Sequence, residues 1–412
     1  MIRPVALALL AGLLAAGGLA RPRAVFAQES VFGSLGFGLP EDGLSVRSRG
    51  MGNAGSALPG IHFSFRNPAA LAVFDRSGLS LGAVLQTRKP EDANADSRQN
   101  DSEVPFAQLA FPLGHGLVLG GGYYRYLDFD GFVDTFTTFR GESLATRLES
   151  DGGVSVLSPQ LAFRLNRYLR VGGGVDFYTG SRELRRRIEF DPDLGVPTTD
   201  SLAFGLGGTG FTVGAQIAPT RRLILAASYR SSVTLDGDEE FGPGFDRDQS
   251  DADTVGGRQI DVDLPATLAG GISYRFGRGV VVAADVESAS WGDFGIDGRK
   301  DPDSQDTFGA SFGVEYAFPR RLWVLPEGTM LRLGARTREL PQRFGGESVR
   351  ERAATFGLGQ LIGIGATAMD LALEVGKRGS LDSNGLAERF VRFAVSLSAF
   401  EKWASRTPGP PQ

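Results

Sequence analysis

Residues Pro265 to Glu287 read P-A-T-L-A-G-G-I-S-Y-R-F-G-R-G-V-V-V-A-A-D-V-E. Ala266, Leu268, Gly270, Ile272, Tyr274 and Phe276 alternate with Thr267, Ala269, Gly271, Ser273 and Arg275. Successive Cβ atoms of a strand point to opposite faces, so a period of two is a strand signature. Gly277, Arg278 and Gly279 form a turn, because glycine takes the positive φ of a tight hairpin at no steric cost. The chain returns with Val280, Val282, Ala284 and Val286 on one face and Val281, Ala283, Asp285 and Glu287 on the other. The unit is a hairpin with one oily face and one face that carries charge. A half-buried soluble sheet has the same pattern, so recurrence decides between them.

The unit recurs from Gly78 to Phe400. Outward from the central hairpin, Phe211, Val213, Ala215 and Ile217 oppose Thr212, Gly214 and Gln216, and Pro219-Thr220 turns the chain into Leu223 to Arg230. Strands are also expected at Leu79–Arg88, Val104–Leu113, Leu117–Leu127, Val154–Leu165, Phe308–Phe318, Leu331–Arg336 and Ala353–Ile362, and around Val171–Phe177, Thr367–Val375 and Val391–Leu397. Tight turns fall near Gly114, Asn166, Pro219, Gly277, Pro319 and Gly363. Between them lie polar stretches read as long loops, among them Lys89–Glu103, Asp128–Gly153 and Asp236–Asp253. Short turns alternating with long loops are the rhythm of an outer-membrane barrel. Six tight turns with both ends on the inner side give fourteen strands. A hidden hairpin within Asp128–Gly153 would make sixteen.

The chain has 412 residues, 58 of them glycine, a net charge of −5 and no cysteine. The absence of cysteine excludes disulfides, thiolate metal sites and cysteine nucleophiles, and the negative balance argues against nucleic acid as a partner. Arg3, the apolar run Val5–Ala20 and Val25-Phe26-Ala27 follow the order of a secretory signal peptide, expected to span residues 1–27. The expected organisation is therefore a signal peptide at 1–27, an irregular segment at 28–77, a β-barrel at 78–400 and a disordered tail at 401–412. The expected place is the cell outer membrane.

Lipid offers the backbone no hydrogen-bond partner, so a sheet crosses it only by closing on itself with apolar side chains outward. The charged positions then face the lumen. They include Gln160, Arg164, Arg170, Asp176, Gln216, Arg275, Asp285, Glu287, Glu315, Arg332, Arg336, Asp370, Glu374 and Arg392. Eight strands leave an interior that side chains fill, whereas sixteen leave a channel. A fourteen-stranded wall needs a stopper. The glycine- and alanine-rich segment 28–77 has apolar side chains to shelter, and Met51, Leu58, Phe63, Phe65 and Leu71 are candidates to line a ligand site. The fold class is all-β: a transmembrane antiparallel barrel of about fourteen strands with an N-terminal plug. Gly120-Gly121-Gly122 marks a candidate kink in the wall, or simply room for the plug.

Arg49-Gly50-Met51-Gly52-Asn53-Ala54-Gly55 and Asn67-Pro68-Ala69-Ala70-Leu71-Ala72 together resemble the plug motif and Asn-Pro-Ala element of the FadL family. Leu264-Pro265-Ala266, Gly271-Ile272-Ser273-Tyr274, Asp285 and Trp291 resemble its mid-barrel hairpin. The resemblance implies a fourteen-stranded barrel that takes up fatty acids or aromatic hydrocarbons through a lateral opening. It singles out Arg49, Gly50, Met51, Gly52, Gly55, Asn67, Pro68 and Ala69 as plug residues. A PorV-like branch instead implies a scaffold that binds exported proteins in a secretion system. Expected partners are a hydrophobic small molecule and outer-membrane lipid or lipopolysaccharide; no cofactor is expected.

Other signals fail their context. Gly50-x-Gly52-x-x-Gly55 and Gly205-x-Gly207-x-x-Gly210 match a dinucleotide pattern, but neither links a strand to a helix. Gly309-x-Ser311-x-Gly313 matches a nucleophile elbow inside a strand, with no histidine after it. His62 and His115 lack a metal or acid–base cluster in sequence, so no metal site and no enzymatic activity are expected. The acidic run Asp236–Asp253 reads as a solvated loop, with divalent cations as the alternative occupants. Arg185-Arg186-Arg187 reads as a polar strand tip or a contact for lipid phosphates.

Overall fold

The structure, a computed structural model, describes residues 30–34, 38–41, 45–91, 99–139, 142–189, 198–245, 255–321, 326–362 and 367–401. The expected signal peptide, the turn at Gly363 and the tail beyond residue 401 lie outside them. Fourteen antiparallel strands close into a ring. They are β1 Ser77–Glu91, β2 Gln99–Gly114, β3 Leu117–Asp128 continuing as Gly131–Phe139, β4 Glu142–Arg164, β5 Leu169–Glu189, β6 Thr198–Ile217 and β7 Leu223–Arg230 continuing as Val233–Phe245. Next come β8 Val255–Leu264 continuing as Thr267–Arg275, β9 Val280–Ala289, β10 Thr307–Ala317, β11 Met330–Phe344, β12 Glu347–Ile362, β13 Thr367–Ser380 and β14 Leu386–Glu401. Each pairs with the next, and β14 pairs with β1 from Ser77↔Glu401 to Glu91↔Ala387, which leaves no free edge.

The alternation read from the sequence sorts the side chains. Leu268, Ile272, Val286, Phe308, Phe312, Leu333, Phe356, Val375 and Phe393 face outward and are exposed, while Ser273, Asp285, Glu315, Arg332, Glu374 and Arg392 on the same strands are buried inside. So large an apolar surface on a single chain in water would be an aggregation site; acyl chains accommodate it. Aromatic rings gather at the tight-turn end: Tyr274 packs edge-on against Phe276 at 4.7 Å, and Tyr316 against Phe318 at 4.9 Å. Amphipathic rings at that level suit the membrane boundary.

Several polar stretches read as loops are strands. Thr87 to Arg88 stay paired with Asn100 and Gln99, Gly131–Phe139 pairs with Glu142–Ser150, and Asp236–Phe245 pairs with Thr198–Gly207. Gly131–Phe139 and Glu142–Ser150 prolong β3 and β4 rather than adding two strands, so the count is fourteen, not sixteen. The stretch between β11 and β12, which had no strand reading, is likewise paired up to a two-glycine hairpin at Gly345 and Gly346, with φ of 61° and 81°. The reason is physical. Above the lipid both faces of a sheet meet water, so the ladder continues while the apolar alternation stops.

Candidate functional site: the barrel lumen

Residues 45–74 run along the inward faces of the wall. A one-turn helix, Val46–Arg49, is capped by Ser45, whose side chain accepts from the Ser48 N–H. A 3-10 turn, Pro68–Val73, starts at Asn67, whose side chain accepts from the Ala69 N–H at 3.0 Å, with proline at the first position where no donor is needed. The Asn67 amide also donates to the carbonyls of Ala215 at 3.2 Å and Ala227 at 3.3 Å, tying this turn to β6 and β7.

Between the two turns the backbone is held by the wall. Gly55 and Ser56 N–H both donate to Asp285 Oδ2 at 2.8 Å, and Gly52 N–H donates to Thr355 Oγ1 at 2.9 Å. Gln216 donates to the Ser56 carbonyl at 2.8 Å and Ser273 to that of Ala57 at 2.5 Å. These anchors come from β6, β8, β9 and β12, so the segment is held from well-separated parts of the ring.

Both motifs that carried the resemblance sit on glycines of the wall. Gly52 has φ of +67°, and a Cβ there would lie 2.5 Å from the Ala335 carbonyl oxygen. A Cβ on Gly334 would lie 2.2 Å from the Gly52 nitrogen, and one on Gly214 2.2 Å from Asn67 Oδ1. The glycine signature thus means backbone against backbone on β11 for the first motif, and room for the Asn67 and Pro68 side chains on β6 for the second.

The remaining candidates are placed as follows. Met51 and Leu58 are buried together with Ala54 and Ala283; Phe63 and Leu71 pack with Phe74, Ala110 and Val118; Phe65 stacks on Tyr124 at 4.5 Å. Phe63 alone of these lines a cavity of about 310 Å³ at the tight-turn mouth, with Arg47, His62, Arg332 and Phe400. Gly120, Gly121 and Gly122 are paired on both sides, to Ala110–Gln108 and to Gln160–Ser158. Leu71 approaches within 2.6 Å of a Cβ on Gly120, and Gly121 has φ of +147° opposite Pro159. The ladder between β4 and β5 runs to Gln160↔Gly174 and resumes at Leu157↔Phe177. Pro159 has no N–H to give there.

Charged groups meet in pairs inside the lumen. Glu315 accepts from Arg332 Nε at 2.7 Å and from Arg47 Nε and Nη2 at 2.9 and 2.7 Å, joining wall and segment. Glu351, fully buried, accepts from Arg336 at 3.0 Å and Arg378 at 2.5 Å; Glu374 accepts from Arg336 at 2.6 Å and Arg49 at 3.3 Å. Burial alone would raise the Glu41 carboxyl, but Arg392, Arg49 and Arg338 hold it at about 2. His62 stays neutral at pH 7: burial and the nearby Arg47 push it down to about 4. Its ring nitrogens lie 3.1 Å from the Gly60 carbonyl and 3.3 Å from that of Gly55, so it is a structural residue of the segment. His115 sits in the turn after β2. Among the described residues no cluster of His, Asp or Glu is arranged to hold a metal.

Beside these pairs lies an apolar cluster. Tyr124, Tyr126, Phe129, Val154, Val156, Tyr178, Val262, Trp291 and Phe294 form one buried cluster. A second cavity, of about 70 Å³, is lined by the apolar groups Tyr126, Ala289 and Trp291 together with Arg66, Arg230, Arg338, Glu41 and Glu287, and the Arg230 guanidinium lies over the Tyr126 ring at 5.1 Å. Sequence alternation found the inward residues. It missed this grouping, because which inward groups meet depends on register.

A closed fourteen-stranded wall, an outward apolar belt and a luminal segment held by inward groups define an outer-membrane β-barrel of FadL architecture. Solved structures agree. The chain is similar to the Ralstonia pickettii toluene transporter TbuX (16% identity, 90% of this chain and 100% of that one, TM-score 0.59). It is likewise similar to a Pseudomonas aeruginosa FadL homologue (12%, 88% and 99%, TM-score 0.60) and to the Pseudomonas putida toluene transporter TodX (19%, 89% and 99%, TM-score 0.59). The chain belongs to the BamG family, whose family model matches residues 2–407. No curated protein matches it.

Proposed function

We propose that the protein admits hydrophobic small molecules of the fatty-acid or alkyl-aromatic type across the outer membrane, with the N-terminal segment 28–77 as its plug and residues 1–27 as its export signal. The observation that carries this reading is the cavity lined by Tyr126 and Trp291 together with Arg66, Arg230 and Arg338. Apolar rings beside guanidinium groups suit an amphipathic ligand. Its volume of about 70 Å³ is only a few times the roughly 30 Å³ that one water occupies in the liquid. A cavity of that size is too small for oleate, so on this reading passage requires the plug to shift. The backbone irregularity at Gly121 and Pro159, beside the interrupted ladder of β4 and β5, is the proposed weak line for exit into the wall. The similar structures named for toluene transport support the substrate class, and no observation favours the PorV-like scaffold.

The test is uptake into proteoliposomes containing the mature protein, with oleate and toluene as probes. Both are expected to enter faster than into protein-free vesicles and to quench the fluorescence of Trp291. Absence of uptake and binding for both probes overturns the proposal.

A further inference from the structure

The tight-turn end of the barrel carries a charge that transport does not use. Arg164 ends β4 and stands directly opposite Arg170 on β5. Arg275 ends β8, and its N–H donates at 2.7 Å to the carbonyl of Arg222, the residue that leads into β7. All four continue the inward face, two residues along from the buried Ala162, from Gly172 against Pro68, and from the buried Ile224 and Ser273. Arg164, Arg222 and Arg275 are exposed and Arg170 is half-buried. Among the described residues none of the four is bonded to a carboxylate, and Arg170 donates to Gln216 at 3.1 Å. The first inward carboxylates met from this end on β5, β9 and β10 are already engaged. Asp176 accepts from Ser158 and Thr212, Asp285 from the Gly55 and Ser56 N–H groups, and Glu315 from Arg47 and Arg332. Arg167 and Arg221, both exposed, extend the patch onto the turns, with Arg167 over the Tyr168 ring at 4.4 Å. The chain as a whole has a net charge of −5, so this end holds a local excess of the opposite sign.

Like charges set directly opposite one another repel, and a negatively charged partner relieves both pairs at once. From β4 to β8 there are four strand spacings, roughly 19 Å along the wall at about 4.8 Å each. A single phosphate or carboxylate cannot reach both pairs. An extended chain spans them with about six residues at about 3.3 Å each. Inward parity turns the four groups away from the acyl belt and the headgroups around it, toward the water at the mouth of the bore. The short turns of an outer-membrane barrel lie on the periplasmic side. We propose that Arg164, Arg170, Arg222 and Arg275 dock an acidic segment of a periplasmic polypeptide, whose carboxylates pair with the four guanidinium groups. The basic cluster Arg185-Arg186-Arg187 differs. It lies at the other end of β5, with Arg185 bonded to Glu183 and Arg186 to Asp200.

The test is fluorescence anisotropy of a fluorescein-labelled octaglutamate peptide with the mature protein in non-ionic detergent. The wild type is expected to bind it and not to bind octaglutamine. The variant Arg164→Gln, Arg170→Gln, Arg222→Gln, Arg275→Gln is expected to bind at least ten-fold more weakly. The double variants Arg164→Gln, Arg170→Gln and Arg222→Gln, Arg275→Gln are each expected to bind several-fold more weakly. Raising the salt from about 50 to about 300 mM is expected to weaken wild-type binding several-fold, because exposed charges are screened. Substituting Arg185, Arg186 and Arg187 with Gln is expected to leave binding unchanged. No binding by the wild type, or equal binding by the wild type, the quadruple variant and both doubles, overturns the proposal. So does displacement of the peptide by millimolar inorganic phosphate at matched ionic strength, which marks a small-anion site. Displacement by phosphatidylglycerol in the same micelles overturns it too, by marking a headgroup site. Folding of each variant is read from heat-modifiable gel mobility, and the doubles carry the test where the quadruple variant does not fold. Toluene uptake by the quadruple variant is expected to equal that of the wild type, so the two proposals fail separately.

Discussion

Gly334→Val is expected to unseat the luminal segment and turn a closed barrel into an open one. A Cβ at this position would lie 2.2 Å from the Gly52 nitrogen and 2.3 Å from the Met51 carbonyl carbon. Both are backbone atoms, so no rotamer change relieves the clash. Overpacking of this kind costs about 1–3 kcal/mol, and here it falls on a contact that helps hold the segment in place. Single-channel recordings in planar bilayers are expected to show at least a ten-fold rise in open conductance over the wild type, with Gly334→Ala between the two. Conductance equal to wild type for both variants would mean the segment does not depend on that contact.

The second large effect is expected at Glu351. Its carboxylate is fully buried and accepts from Arg336, Arg338 and Arg378. Glu351→Gln removes the charge around which three guanidinium groups gather, and breaking a buried ion network from one side costs about 3–5 kcal/mol. The exposed pair Arg350–Glu339 has a similar distance, 2.9 Å. Water screens it, so Glu339→Gln is expected to cost at most about 1 kcal/mol. Thermal unfolding in detergent followed by circular dichroism separates the two: a clear fall in midpoint for the first variant and almost none for the second. Equal midpoints would show that the luminal network contributes nothing to stability.

The wall was legible in the sequence because lipid imposes a rule at every second residue. Leu268, Ile272, Tyr274 and Phe276 could be assigned to the outside from spacing alone, and six tight turns implied fourteen strands, with sixteen left open by the Asp128–Gly153 stretch. The rule ends where the lipid ends. For that reason Asp236–Phe245 read as a loop although it is paired, and the Gly345-Gly346 hairpin had no signal in the apolar pattern. The luminal segment was legible as glycines and an Asn-Pro-Ala element. What those glycines touch was not, since Gly334 and Gly52 are far apart in the chain. The same limit applies to the seam, where Lys89 and Arg389 become neighbours only when β14 closes on β1.

The central claim is that one face of every strand meets acyl chains and the other meets the lumen. The chain has no cysteine, so single cysteines carrying a nitroxide label report on it without background. In β13, the scan runs over Leu371, Ala372, Leu373, Glu374 and Val375 in lipid vesicles. The account predicts high accessibility to oxygen and low accessibility to a water-soluble nickel chelate at 371, 373 and 375, and low oxygen accessibility at 372 and 374. Uniform accessibility along the strand, or nickel reaching position 373 more readily than oxygen, would contradict it.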